Sequence, residues 1–213
     1  MGPAEAYPAR DGRSWHLVSP DLRDVLEAWE PLGFSDENLA ALRDTPADPL
    51  QPPPAPAVSE RVIPGPADHP ELAVVLVDPD PRRRDKPALL HIHGGGYVLG
   101  TALSSAPRLQ TLAAEVGCLI VSVEYRLAPE TRHPGALEDN YAALKWLMES
   151  ADELGIDPGR IAVGGESAGG GHAAMLALAA RDRAGPKIAF QWLIYPMLDD
   201  RTGSTRAVSP WQG

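Results

Sequence analysis

One serine and one triple glycine carry the chemistry that this sequence offers. Ser167 stands in Gly164-Gly165-Glu166-Ser167-Ala168-Gly169-Gly170, which contains Gly165-x-Ser167-x-Gly169. The residue pattern predicts a strand over 160–164 and a helix over 168–183, on either side of that serine. A serine on a sharp strand-to-helix turn has the setting of a nucleophile. Its backbone must be strained, and side chains two positions before and after it would collide, so both positions call for glycine. A helix that begins at Ala168 offers unpaired N–H groups and the positive end of its dipole. The N–H of Ala168 can then face a developing oxyanion. A glycine-rich turn without chemistry is the bland alternative.

The second signal is His93-Gly94-Gly95-Gly96, directly after an apolar run that predicts a strand over 88–93. Three glycines leave backbone N–H groups accessible, which an oxyanion hole requires. A phosphate-cradling loop is disfavoured, because no Gly-Lys-Ser/Thr follows and no G-x-G-x-x-G opens a helix there. His91 and His93 are expected to share one strand face, since side chains alternate with period 2. No third ligand accompanies them, so no metal is expected, and no cofactor is implied.

The elements that must position these residues follow from the same patterning. Ser19-Pro20-Asp21 predicts a helix start, with Leu22, Val25, Leu26 and Trp29 at helical spacing. A second short helix is expected from Ser35. Pro46, Pro49, Pro52, Pro53, Pro54 and Pro56 then predict an extended linker. Residues 1–57 read as an N-terminal helical segment plus linker, and 58–213 as the main domain. Within it, 58–63 and 72–77 predict an antiparallel strand pair. Further strands are expected over 118–124 and 187–195, and helices over 107–116 and 137–148. Strands alternating with helices predict an α/β fold with a mostly parallel sheet covered on both faces.

Bulk properties exclude several other classes. The 213 residues carry a net charge of -10, which disfavours nucleic acid and anionic membranes as partners. The single cysteine, Cys118, permits no disulfide within the chain and sits in an apolar run. No stretch of about 18 apolar residues predicts a membrane span. Residues 1–12 lack the pattern of a secretory signal, so a cytoplasmic location is the expectation.

Taken together, the two glycine motifs resemble the hormone-sensitive-lipase-like carboxylesterases of the α/β-hydrolase fold. Tyr125-Arg126-Leu127-Ala128-Pro129-Glu130, Pro134-Gly135-Ala136-Leu137-Glu138-Asp139 and Tyr195-Pro196-Met197-Leu198-Asp199 extend the resemblance over roughly residues 58 to 200. It implies that Ser167 is the nucleophile and that the N–H groups of Gly95, Gly96 and Ala168 form the oxyanion hole. It implies that His93 braces the glycine loop, and that Gly94, Gly165, Glu166 and Gly169 support the motifs. The two N-terminal helices resemble part of that family's cap. A small acyl ester is the implied substrate.

One departure generates an expectation of its own. In this fold the acid and histidine follow the serine along the chain. The last histidine is His172, five residues beyond Ser167. The sequence reading therefore expects a fold truncated after the strand that follows the nucleophile helix, with the acid and histidine missing. It expects a site impaired or inactive as written, and self-association through an exposed edge strand. The competing expectation is a non-catalytic binder of small ligands on a hydrolase scaffold.

Overall fold

The structure is a computed structural model that describes residues 18–28, 35, 37–44 and 56–199. Expectations for the polar start, for Trp29, for Pro46 to Pro54 and for the tail beyond Asp199 lie outside the described residues. The chain divides into two compact units, residues 1–42 and 43–213.

In the first unit, α1 (Pro20–Ala28) opens with proline at its first position, where a missing N–H costs nothing. The Leu22 N–H donates to the Ser19 carbonyl at 3.0 Å. Leu22 and Val25 are exposed. The short helix α2 (Leu39–Asp44) starts four residues later than Ser35. Before it, the Ser35 N–H donates to Asn38 Oδ1 at 2.9 Å and the Asn38 N–H to the Ser35 carbonyl at 3.2 Å.

The second unit is built on six strands: β1 (Ala57–Pro64), β2 (Glu71–Asp78), β3 (Lys86–Ile92), β4 (Leu119–Val123), β5 (Ile156–Glu166) and β6 (Phe190–Ile194). They form one sheet in the order β1-β2-β4-β3-β5-β6. The β1–β2 and β2–β4 pairs are antiparallel, and β4–β3, β3–β5 and β5–β6 are parallel. Each residue of β4 is buried, which is what a continuous apolar run in the middle of a sheet requires. The strand expected over 160–164 is longer at both ends, because Lys86 of β3 also pairs with Ile156 across an irregular step.

Helices cover both faces. Against one, α4 (Gly135–Glu149) and α6 (Ala168–Asp182) pack Leu144, Leu147, Ala173 and Leu176 onto Leu90, Ile92, Val121 and Val163. Against the other, α3 (Ala106–Val116) packs Leu109 and Ala113 onto Val77, Leu89 and Ile120. A single helical turn, α5 (Ala151–Leu154), leads into β5. Cys118 is free and buried on the α3 side, and burial raises its thiol pKa.

Two expectations are corrected here. His91 and His93 do not share a face, because β3 ends at Ile92 and the period-2 alternation ends with it. His91 lies on the α3 side, whereas His93 stacks on Tyr125, a residue of the α4/α6 core. The expectation of a fold cut off after β6 also fails. Residues Tyr195 to Asp199 run on past β6 and pack back on the elbow. The Met197 N–H donates to the Ser167 carbonyl at 3.0 Å, and the Tyr97 hydroxyl donates to the Met197 carbonyl at 3.3 Å.

Candidate active site

Ser167 sits between the end of β5 and the start of α6 with φ 54° and ψ −119°, a left-handed conformation that a non-glycine residue adopts only under constraint. Main-chain bonds impose it. The Ser167 N–H donates to the Ile194 carbonyl at 2.9 Å, and its carbonyl accepts from Gly171 and Met197, both at 3.0 Å. The flanking glycines meet the same obstacle. A Cβ on either Gly165 or Gly169 would run into the Ile92 carbonyl at the end of β3. The elbow is thus pressed against the strand that leads into the triple glycine. Gly169→Ala is expected to destabilise the fold by about 1–3 kcal/mol through overpacking against rigid backbone. Urea unfolding checks it, and an unchanged midpoint would show that the elbow has slack.

The loop after β3 brings the second motif to the elbow. A Cβ on Gly94 would lie 3.0 Å from the Glu166 carbonyl oxygen and 3.6 Å from Ser167 Cβ. Gly95 has φ 123° and Gly96 φ 63°, both open to glycine and strained for other residues. The Gly95 carbonyl accepts from Leu99 at 2.8 Å and Val98 at 3.1 Å, which closes the loop. Among the described residues, nothing accepts from the N–H groups of Gly95 and Gly96. The Ala168 N–H is at the first position of α6, where no intrahelical acceptor exists.

His93 is buried, with Nδ1 donating to the Gly94 carbonyl at 2.8 Å and its ring stacked 4.3 Å from that of Tyr125. The Tyr125 hydroxyl donates to the His93 carbonyl at 2.9 Å. His172, on α6, is buried edge-on to Tyr97 and Tyr125. Burial lowers both imidazoles to about 4.

These two shifts give a pH dependence with a definite sign. In the unfolded chain both rings titrate near the ordinary histidine value of 6.5, so between about 6.5 and 4 the unfolded state binds more protons. Stability is therefore expected to fall as pH drops through that window, by up to about 3 kcal/mol for each ring, and to level off for these groups below it. Urea midpoints at pH 7, 5.5 and 4 check this. A flat profile would mean that the rings are solvated.

A third group of residues escaped the sequence reading. Ser122 of β4, His91 of β3 and Glu166 of β5 form one row across three adjacent strands. Ser122 Oγ lies 2.9 Å from His91 Nδ1, and His91 Nε2 lies 3.1 Å from Glu166 Oε2. Glu166 Oε1 also pairs with Arg108 of α3 at 2.6 Å. Burial pushes the Glu166 carboxyl up, but the hydrogen bond from His91 and the charge of Arg108 outweigh it and hold it at about 2.

This row corrects the expectation of an impaired site, which rested on there being no histidine for an acid to orient. A serine, a histidine and an acid do stand in hydrogen-bonded sequence. The expectation failed because it searched for the histidine after Ser167 in chain order, while strand register brings together residues from before and within the elbow. Ser122 and His91 are wholly buried, and the ring presents Nδ1 to the serine and Nε2 to the acid. In serine-protease triads those two nitrogens are exchanged.

Comparison with known proteins agrees with this geometry. The alpha/beta hydrolase fold family matches residues 89–212, across the glycine loop, the elbow and on beyond β6, which is the second ground for setting aside a fold cut short at that strand. Esterase LipI of Mycobacterium tuberculosis is 40% identical over 184 residues, covering 84% of this chain and 57% of its own length. Carboxylesterase NlhH of the same organism is 46% identical over 114 residues, 54% of this chain and 36% of its own. Among solved structures, a bacterial heroin esterase superposes with a TM-score of 0.75 at 40% identity, over 90% of this chain and 62% of that one. The chain thus spans about three-fifths of the length of the first of these relatives. With a family match over more than half its residues and a strained serine at the expected turn, this chain belongs to the alpha/beta hydrolase fold family.

Proposed function

We propose that the protein hydrolyses small to medium acyl esters, with Ser167 as the attacking residue and the N–H groups of Gly95, Gly96 and Ala168 as oxyanion donors. The observation that carries this reading is the Ser167 backbone, strained at φ 54° and seated at the N-terminus of α6 beside the glycine loop. The relatives named esterase and carboxylesterase support it. Ser167 Oγ attacks the ester carbonyl carbon and gives up its proton to a general base, as a serine nucleophile requires. The carbonyl oxygen becomes an oxyanion, faced by donors that cost no reorganisation. The alcohol leaves with a proton, and water releases the acid from the acyl-enzyme. The reading assigns no residue to the base. His93 and Gly94 hold the loop, and Gly165 and Gly169 make room for the elbow. Glu166 supports it from the neighbouring position. No cofactor or metal enters the reaction.

A second reading makes Ser122 the nucleophile, since it is the serine hydrogen-bonded to a histidine that meets an acid. It requires the substrate to enter a sheet face where Ser122 and His91 have no exposure. Covalent labelling with a fluorophosphonate, followed by peptide mapping, separates the two. Label on the peptide with Ser167 is expected. Label on the Ser122 peptide, or none with p-nitrophenyl butyrate left unhydrolysed, overturns the proposal.

A cytoplasmic setting belongs to the same proposal, supported by the acidic chain and its free, buried Cys118. Among the described residues no helix is long and apolar enough to cross a membrane. Recovery of the protein in a membrane or extracellular fraction would overturn that placement.

A further inference from the structure

Glu166 occupies a position that the reaction above leaves without a defined task. Its carboxylate is 12% exposed, and a buried charge is tolerated only when its oxygens are fully engaged. Three groups engage it. An ionised carboxylate only accepts, so His91 Nε2 donates to it, and Nδ1 on the other side of the ring meets the Ser122 hydroxyl. This fixes the orientation of His91 from its far side. Arg108 reaches in from α3, itself 49% exposed, and supplies the opposite charge. The third donor is the main-chain N–H of Gly94, 3.4 Å from Oε1. Gly94 also rests on Glu166 itself, since a Cβ there would lie 3.3 Å from Glu166 Cγ.

We propose that Glu166 is a positioning residue that ties the glycine loop to the elbow. Held by the Ser122–His91 row on one side and by Arg108 on the other, its carboxylate fixes the Gly94 main chain against the residue before Ser167. The donors of Gly95 and Gly96 are thereby aimed at the oxygen of the intermediate on Ser167. The claim rests on the Ser167 reading. A misplacement of about 1 Å in such donors costs up to about 100-fold in rate, so precision of this kind is worth a buried ionic network.

The test uses the protein with Glu166→Ala, Glu166→Gln and Arg108→Met, with Ser167→Ala as control. Steady-state hydrolysis of p-nitrophenyl butyrate and hydrogen exchange of the peptide spanning residues 93–100 are measured on each. Glu166→Ala is expected to lower kcat about 10–100-fold with KM within about twofold, because oxyanion donors act in the transition state. Glu166→Gln keeps one oxygen for the Gly94 N–H and turns its amide nitrogen toward His91, so it is expected to recover part of that loss. Arg108→Met removes only a surface-reaching partner, so it stays folded, and kcat is expected to fall about threefold to tenfold. Exchange in 93–100 is expected to speed up in the order of the kinetic losses. Unchanged kcat in Arg108→Met and Glu166→Ala, a loss that falls on KM, or unaltered exchange in 93–100 overturns the proposal. Wild-type turnover that does not depend on Ser167 overturns the function reading instead, and the exchange data still decide whether Glu166 holds the loop.

Discussion

Ser167→Ala is expected to lower kcat/KM for p-nitrophenyl butyrate by about four to six orders of magnitude, leaving only what binding and the oxyanion donors supply. The hydroxyl oxygen forms the acyl bond, and no neighbouring atom can take its place. The fold should be indifferent to the change. The elbow is held by main-chain bonds of Ser167 to Ile194, Gly171 and Met197, all of which alanine keeps. The melting temperature is therefore expected to stay put while activity disappears. Ser122→Ala should do the opposite. It strips His91 Nδ1 of its hydrogen-bond partner in a wholly buried site, which costs about 1–3 kcal/mol of stability, and turnover should persist at temperatures where the protein is folded. Activity lost in Ser122→Ala at an unchanged melting temperature, and kept in Ser167→Ala, would transfer the nucleophile's role to Ser122.

The second large effect concerns stability. Asp139→Ala is expected to destabilise the fold by about 3–5 kcal/mol, since it breaks a buried ionic pair by removing one partner. The Asp139 side chain is wholly buried on α4 and faces the loop after β4. It accepts from the Arg126 main-chain N–H and from Nε, both at 2.9 Å, and from Nη2 at 2.8 Å. Arg126 also pairs with the exposed Asp68 at 2.9 Å, but that contact is open to solvent and worth far less. Alanine would leave the guanidinium and a main-chain N–H facing a void. Asp139→Asn keeps an acceptor and should lose roughly half as much. Urea unfolding of both variants checks the ranking. An Asp139→Ala midpoint equal to that of the wild type would mean that water satisfies Arg126 without it. Activity should follow stability here, because Tyr125, the residue before Arg126, hydrogen-bonds the His93 carbonyl at the root of the glycine loop.

Asp139 also shows how far a sequence carries such an argument. Its place in the first turns of a helix was visible, and an acidic residue there favours the helix N-terminus. Its inward turn onto Arg126, thirteen residues earlier, was not. Gly165 and Gly169 divide in the same way. That both must be glycine follows from the strand–serine–helix pattern, whereas the obstacle that excludes a side chain, the Ile92 carbonyl, belongs to a strand some seventy residues away.

The sequence by itself determined the local chemistry of this protein. Ser167 in its glycine frame, the triple glycine after a strand, and the alternation of apolar strands with amphipathic helices are all properties of neighbouring residues. Local sterics and the periods of strand and helix suffice to read them. Only the tertiary structure decided which distant residues meet. Ser122, His91 and Glu166 lie 31 and 75 residues apart along the chain. They form one row because β4, β3 and β5 are neighbours in a register that pairs His91 with Ser122 and with Gly164. Strand order and register are set by the packing of the whole sheet between its helices, and a one-residue slip would turn each of these side chains to the other face. No local pattern encodes that choice, so a search for a histidine in chain order could not find the one that the fold had placed beside the acid.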